Sequence, residues 1–468
     1  MAVPPTATPP GSGPPAILVA ATHSGAGKTT AAVIVSRALR RRGLEVQPFK
    51  LGPDFIDPAY HAEASGRPSI NLDLWMMGEE GVQGSYGRWS RGADVCVIEA
   101  MGALYDGADG SGQGSAAHVA KLLGVPVVVV LDVWGMTRTS GAILAGLQAF
   151  DPELEIAGCI LNRVGSPAHA EMIVEALPER LRPLVVGAIP HRAELEIPER
   201  HLGLLTVAEN AGTAAAREDA QLRGGELLDV ERLLQVAGAA RAAADGPRAA
   251  TPAPAPAARI AVARDRAFSF YYEENLLLLR EAGFELVPFQ PTLDPRLPVD
   301  VDAIYIGGGY PESFAAELAA NASLAAELRE RAAGGMPLYA ECGGLIYLGR
   351  SLTGFDGTRH AMSDVLPLDF TMDPEHLAIS YVEARTRVAS PLGECGVVAR
   401  GQRFHQSRIV AAEIEPTLYD LTTSDGQRHR DGFLQGGVVA SYVHLHFASN
   451  PQLVANLLAA ALQARRPG

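Results

Sequence analysis

Pro337-Leu338-Tyr339-Ala340-Glu341-Cys342-Gly343-Gly344-Leu345 is the stretch on which the reading of this chain turns. The apolar run ending at Ala340 reads as a buried strand. The two glycines after Cys342 permit a sharp turn into a helix over 345–348, which lifts one thiol out of the sheet. Strand, nucleophile, glycine and helix form the elbow used in acyl transfer, where the backbone N–H groups after the nucleophile can receive an oxyanion. The same surroundings are expected to lower the thiol pKa and favour thiolate. A lone free cysteine is otherwise a core residue, so context decides. Upstream, Ala303-Ile304-Tyr305-Ile306 runs into Gly307-Gly308-Gly309-Tyr310-Pro311-Glu312, whose bare N–H groups suit a second oxyanion donor. Downstream, Val438 to Val443 delivers His444 at a strand end. A cysteine with a distant histidine is the pair that covalent catalysis needs. The roles expected are therefore Cys342 as nucleophile, His444 as base, and Gly308 and Gly343 as oxyanion donors.

Outward from this region the chain is long and ordinary in composition. At 468 residues it predicts two or three domains, and 47% hydrophobic residues supply ample core. A net charge of −14 without any basic block argues against a nucleic-acid surface. Cys96, Cys159, Cys342 and Cys395 show no metal-ligand spacing, and a reducing cytoplasm fits them. Residues 1–15 read as a disordered tail rather than a signal peptide. No apolar run is long enough to span a bilayer. Residues 241–258, rich in Pro and Ala, read as a linker. It divides a domain over 16–240 from one over 259–468.

The first domain opens on Ala16 to Ala21, a buried parallel-type strand, followed by Thr22-His23-Ser24-Gly25-Ala26-Gly27-Lys28-Thr29-Thr30 and a helix from Ala31 to Arg41. Strand, glycine-rich loop and helix make a phosphate cradle. Backbone N–H groups at the helix start face the phosphates, Lys28 neutralises charge on them, and the Thr29 hydroxyl can ligate Mg²⁺. Thr22 stands where the usual motif has its first glycine, so the loop is a variant. Ser24, Gly25, Gly27, Lys28, Thr29 and Thr30 are the expected ATP contacts. Glu99, at the carboxyl end of the strand over 94–98, sits where nucleotide folds hold a second Mg²⁺ ligand. Asp54 and Asp57, in Gly52-Pro53-Asp54-Phe55-Ile56-Asp57-Pro58, can reach metal or substrate or can be turn formers beside proline. Asp73 has the same two readings. Asn162 ends a further strand and can read a base edge. The βαβ rhythm predicts a doubly wound parallel sheet. A long helix is expected from Gly225 to Ala244.

With both motif sets in view, the chain resembles the cobyrinate/hydrogenobyrinate a,c-diamide synthase family. The resemblance rests on the phosphate loop, Lys50 to Pro58, Asn71-Leu72-Asp73, Leu161 to Gly165, Arg200 to Leu204, Phe270 to Asn275, Gly307 to Glu312, Ala340 to Gly344 and Tyr442 to Phe447. The sequence departs from the pattern at Glu99 to Gly107 and at Ala378 to Val382. Nickel-sirohydrochlorin a,c-diamide synthases resemble the same family closely. The resemblance implies a phosphate-loop domain followed by a class I-like glutamine amidotransferase domain. It implies ATP- and Mg²⁺-dependent amidation of the a- and c-acetates of a corrinoid, with ammonia released from glutamine. Mg²⁺ ligands would be Thr29, Asp54 and Glu99, and substrate contacts Asp57, Asp73, Tyr105 and Asp106. Expected partners are glutamine and a tetrapyrrole polycarboxylate, with a homodimer as a possible assembly and neither nucleic acid nor membrane. Ammonia must stay unprotonated between two sites, which favours an enclosed passage. Class I glutaminases resemble the His444 region with a His, one spacer and a Glu that orients the imidazole; here His446 holds the Glu position. His405 is assigned to substrate binding or structure. A partition-type ATPase would explain the phosphate loop but leaves Cys342 and His444 without a role.

Overall fold

The computed structural model describes residues 13–107, 111–197, 199–200, 203–204, 214–239 and 255–465. Its contacts divide the chain into two compact units, Met1–Leu74 with Gly78–Arg248 and Trp75–Met77 with Ala249–Gly468.

In the first unit, β-branched and alanine-rich runs form strands buried on both faces, as parallel sheets require. These are β1 (Pro15–Ala21), β2 (Val46–Leu51), β3 (Ile70–Leu72), β4 (Val95–Glu99), β5 (Val127–Asp132), β6 (Ile156–Val164) and β7 (Val185–Pro190). They lie in the order β3-β2-β4-β1-β5-β6-β7. All of these neighbours pair in parallel. β1 is central, so the loop that follows it opens at the middle of the carboxyl edge, where β4 brings Glu99 alongside through the Val19↔Glu99 pairing. Helix α1 (Lys28–Arg41) begins on Gly27 and packs Ala31, Ile34, Val35, Ala38 and Leu39 into the core with β1 and β5. Cys96 and Cys159 are fully buried in their strands, as expected of core residues. A small pair, β8 (Glu199–Arg200) with β9 (Gly203–Leu204), follows β7, and β10 (Gly238–Ala239) pairs antiparallel with β1. The long helix expected over 225–244 is not formed. Helix Ala214–Gly225 ends where it was expected to begin, and within the span only the shorter helix Val230–Val236 forms, before β10. Residues 240–244 lie outside the described part.

The second unit repeats the α/β pattern. β11 (Ala258–Ala263), β12 (Phe268–Phe270), β13 (Phe284–Phe289), β14 (Ala303–Ile306), β15 (Gly308–Gly309) and β16 (Leu338–Glu341) are followed by an insertion built of strands. That insertion comprises β17 (Ser351–Thr353), β18 (Arg359–Ala361), β19 (Leu368–Met372), β20 (Ala378–Thr386), β21 (Val398–His405), β22 (Ser407–Ala412), β23 (Tyr419–Thr423) and β24 (Arg428–Asp431). β25 (Phe433–Gln435) and β26 (Val438–Ser441) return the chain to the main sheet, whose order is β13-β11-β14-β16-β26-β25, and β27 (His444–Leu445) leaves it to pair with β21. Two apolar clusters cover the two faces of the main sheet.

Candidate active site

The phosphate loop folds as its glycines require. Gly27 sits at φ 91, a left-handed conformation costly for any side chain, and a Cβ there would fall 2.1 Å from Asn162 Nδ2. That close approach gives Asn162 its place. Its amide donates to Ala26 O at 2.8 Å, bracing the loop from behind. Lys28, 6% exposed, donates to His23 O at 3.3 Å, and burial followed by the neighbouring Lys50 holds its pKa below the usual lysine value. Ser24 and Gly25 are on the loop, with Ser24 exposed, and Thr30 stands in the first turn of α1.

The Thr29 hydroxyl donates to Glu99 Oε1 at 2.9 Å, so the two expected metal ligands meet. Glu99 is the hub of a buried network in which Lys50 and His61 were not singled out from the sequence. Lys50 Nζ bonds Glu99 Oε1 at 2.8 Å and Asp57 Oδ2 at 2.5 Å, while His61 Nε2 meets Glu99 Oε2 at 2.5 Å and His61 Nδ1 meets Ser69 Oγ at 3.2 Å. Burial alone would raise the Glu99 pKa, but Lys50 and His61 outweigh it and hold the carboxyl below the usual carboxylate range. Burial pushes Lys50 down, yet Asp57 and Glu99 more than offset it and keep the ammonium charged. Asp57 is pushed up by burial and by Asp54, and its link to Lys50 is the contact that lets a carboxyl sit there. Asp54 forms the turn: its Oδ1 accepts the Ile56 N–H at 2.7 Å and the Asp57 N–H at 3.0 Å. Asn71 holds the same loop by donating to Gly52 O and Asp54 O. Asp73 is buried just after β3. The Tyr105 hydroxyl donates to Leu147 O at 2.6 Å. Asp106 is exposed on the loop after β4, next to residues 108–110, which lie outside the described part.

Among the described residues no group of three or more His, Cys, Asp or Glu side chains is arranged to hold a metal. Mg²⁺ with a nucleotide takes only one or two protein ligands, the rest being phosphate and water. The paired Thr29 hydroxyl and ionised Glu99 carboxylate fit that demand.

In the second unit the elbow is present. Cys342 has φ 48 and ψ −101, a strained non-glycine conformation between β16 and the six-residue helix Gly343–Leu348. Its N–H donates to Ser441 O at 2.8 Å, and its Sγ contacts Phe404 O at 3.7 Å. The glycine-rich turn packs against the residue after it, a Cβ on Gly343 falling 3.0 Å from Gly309 N. His444 lies against the same turn: a Cβ on Gly308 would sit 2.3 Å from its Cε1, so only glycine leaves room for the ring. Tyr271, another residue not singled out as functional, accepts the Gly307 N–H at 2.8 Å and fixes the turn.

The lowered thiol pKa is overturned. Burial, then Glu312, pushes Cys342 up to about 12, against a smaller opposing effect of the Gly343 N–H. His444 is driven down to about 3 by burial. At neutral pH the thiol and the imidazole are therefore both held in their neutral forms. His405 stacks on Tyr442 at 3.7 Å and its Nδ1 meets Ser407 O at 3.0 Å, a structural setting. His446 is buried with neither ring nitrogen hydrogen-bonded among the described residues.

Comparison with known proteins agrees with this division. Residues 17–205 match the model of the CobQ/CobB/MinD/ParA nucleotide binding domain, and residues 259–452 that of the CobB/CobQ-like glutamine amidotransferase domain. Fold and site together define a glutamine amidotransferase joined to a phosphate-loop nucleotide-binding domain. Cobyrinate a,c-diamide synthase of Syntrophotalea carbinolica is 39% identical over 93% of this chain and 96% of its own length. The proteins of that name from Leptospira interrogans and Methanosarcina acetivorans are each 39% identical, over 96% of this chain and 99% and 95% of their own. The chain belongs to the cobyrinate a,c-diamide synthase family. Among solved structures, a glutamine amidotransferase aligns at 18% identity and a TM-score of 0.32, covering 43% of this chain and 98% of that one.

Proposed function

We propose that this chain uses ATP and glutamine to amidate the a- and c-acetates of cobyrinate, the substrate in its relatives' names. The observation that carries the reading is the presence in one chain of a thiol elbow with a neutral histidine and of a phosphate loop whose Thr29 meets an ionised Glu99.

In the amidotransferase unit, Cys342 Sγ attacks the glutamine side-chain carbonyl as His444 takes the thiol proton. The oxyanion is held by the N–H groups of Gly308 and Gly343, and His444 returns the proton to the departing ammonia. Water then attacks the thioester, releases glutamate and restores the thiol. In the nucleotide unit, a substrate carboxylate oxygen takes the γ-phosphoryl of ATP and ADP leaves. Ammonia attacks the acyl phosphate carbon and inorganic phosphate departs. Lys28 lies where it can offset charge on the transferred phosphoryl, and Lys50 keeps Glu99 ionised and in place. Thr29 and Glu99 would hold Mg²⁺, which supplies charge neutralisation on the phosphates when bound. Asp57, Asp73 and Asp106 remain the proposed substrate-side residues, and Ser24, Gly25 and Gly27 the phosphate contacts.

The test is product analysis with purified protein, ATP, glutamine and each of cobyrinate, hydrogenobyrinate and nickel-sirohydrochlorin. Cobyrinate diamide, with one glutamate and one ADP per amide, is the expected result; diamide formed only from nickel-sirohydrochlorin, or no ADP, overturns the reading.

A further inference from the structure

Glu341 immediately precedes the nucleophile, yet a glutaminase elbow needs no carboxylate at that position. The side chain is 1% exposed and gathers three donors: Tyr339 OH at 2.5 Å and the Leu445 N–H at 3.0 Å on Oε1, and Tyr305 OH at 2.9 Å on Oε2. Leu445 lies between His444 and His446. Its carbonyl is held too, accepting from Asn275 Nδ2 at 2.7 Å, while Asn275 Oδ1 accepts the Phe447 N–H at 2.7 Å. β27 is only two residues long and pairs solely with β21, so its own ladder fixes it weakly. These side-chain bonds supply what the ladder lacks. They also tie the histidine segment to β16, the strand that ends in the nucleophile. The position where class I glutaminases keep an orienting carboxylate is filled by His446, whose ring packs on Tyr272 at 4.7 Å. A fully buried carboxyl is a costly way to bond one N–H, which argues for geometry rather than stability as its purpose.

We infer that Glu341, with Asn275, is a positioning residue of the glutaminase reaction, clamping the Leu445 main chain so that the His444 imidazole stays against Gly308. The inference rests on the glutaminase reading given above.

It is tested by glutaminase kinetics of the full chain as Glu341→Ala, Glu341→Gln and Asn275→Ala, each alongside ammonia-driven amidation. Misplacing a catalytic group by about 1 Å costs on the order of 10²-fold. Glu341→Ala should therefore lower glutaminase kcat by roughly that factor, with the glutamine KM and the ammonia-driven rate unchanged. Glu341→Gln should recover most of it, since its carbonyl oxygen can accept the Leu445 N–H and its amide can donate to a phenol oxygen. Unchanged kcat in Glu341→Ala, an equal fall with ammonia, or a Gln variant as slow as the Ala variant overturns the proposal. If Glu341→Ala does not fold, Asn275→Ala decides: a selective fall in glutaminase kcat supports the clamp, and a normal kcat removes it. Wild-type protein without glutaminase activity would defeat the underlying reading instead, so the two failures are distinct.

Discussion

In the proposed reaction His444 works as a neutral imidazole. Burial drives its pKa down to about 3, so the ring is unprotonated at neutral pH and can receive the thiol proton during the reaction. His444→Ala should lower glutaminase turnover by about 10² to 10⁴-fold, the usual worth of a positioned base, while ammonia-driven amidation continues. His446→Phe should leave glutaminase within a few-fold of normal; the reverse pattern reassigns the base. The same burial sets a pH dependence of stability. His405, His444 and His446 are all pushed down to about 3, below the ordinary histidine value, so the folded state binds fewer protons than the unfolded chain. Their contribution is full above pH 6.5 and is lost as pH falls from there toward 3. At 1.36 kcal/mol per pH unit, each buried imidazole withdraws about 2 kcal/mol between pH 6.5 and 5. Denaturant midpoints measured across that range should drop for the wild type and drop less steeply for His446→Phe. An equal slope in both would show that His446 is not a buried neutral group. None of this burial could be read from Tyr442-Val443-His444-Leu445-His446-Phe447. Period-two spacing puts the two histidines on one face, but only the packing of Tyr272 and the turn at Gly308 tells them apart.

The loop-to-helix element after β1 was legible because phosphate binding dictates its residues: glycine where the backbone is left-handed, lysine and threonine at the helix start. Glu99 was legible from its position at a strand end. Lys50 and His61 were not, since a lysine in Val46-Gln47-Pro48-Phe49-Lys50-Leu51 and a histidine in a helix carry no pattern, and only the fold brings them to Glu99. Lys50→Met should be severe. It leaves Glu99 and Asp57 buried without their cation, a loss of about 3 to 5 kcal/mol, and ends amidation with either nitrogen donor. A midpoint within about 1 kcal/mol of wild type would refute this network. Strands β17 to β24 were also hidden: some, such as β18, are short, and the longer β20 and β21 have mixed, partly exposed faces, so they show neither the continuous apolar run nor the clean alternation that marks a buried strand.

At the scale of the whole molecule, the proposed function gives each unit its own reaction, and the two can be separated by the source of nitrogen. Cys342→Ser should abolish glutamine-dependent amidation, by about 10³-fold or more, and spare the ammonia-dependent reaction; Lys28→Ala or Thr29→Ala should end both. Product formation measured with each donor checks this, and equal loss of both in Cys342→Ser would refute separate sites. The buried, protonated state of Cys342 bears also on handling the protein. Alkylating dyes and peroxide react with thiolate, so a thiol near pKa 12 is shielded from them at neutral pH. Cys96 and Cys159 are shielded in the same way, also near 12. Cys395 is exposed and the other three cysteines are buried, so a maleimide fluorophore should mark the native chain first at Cys395.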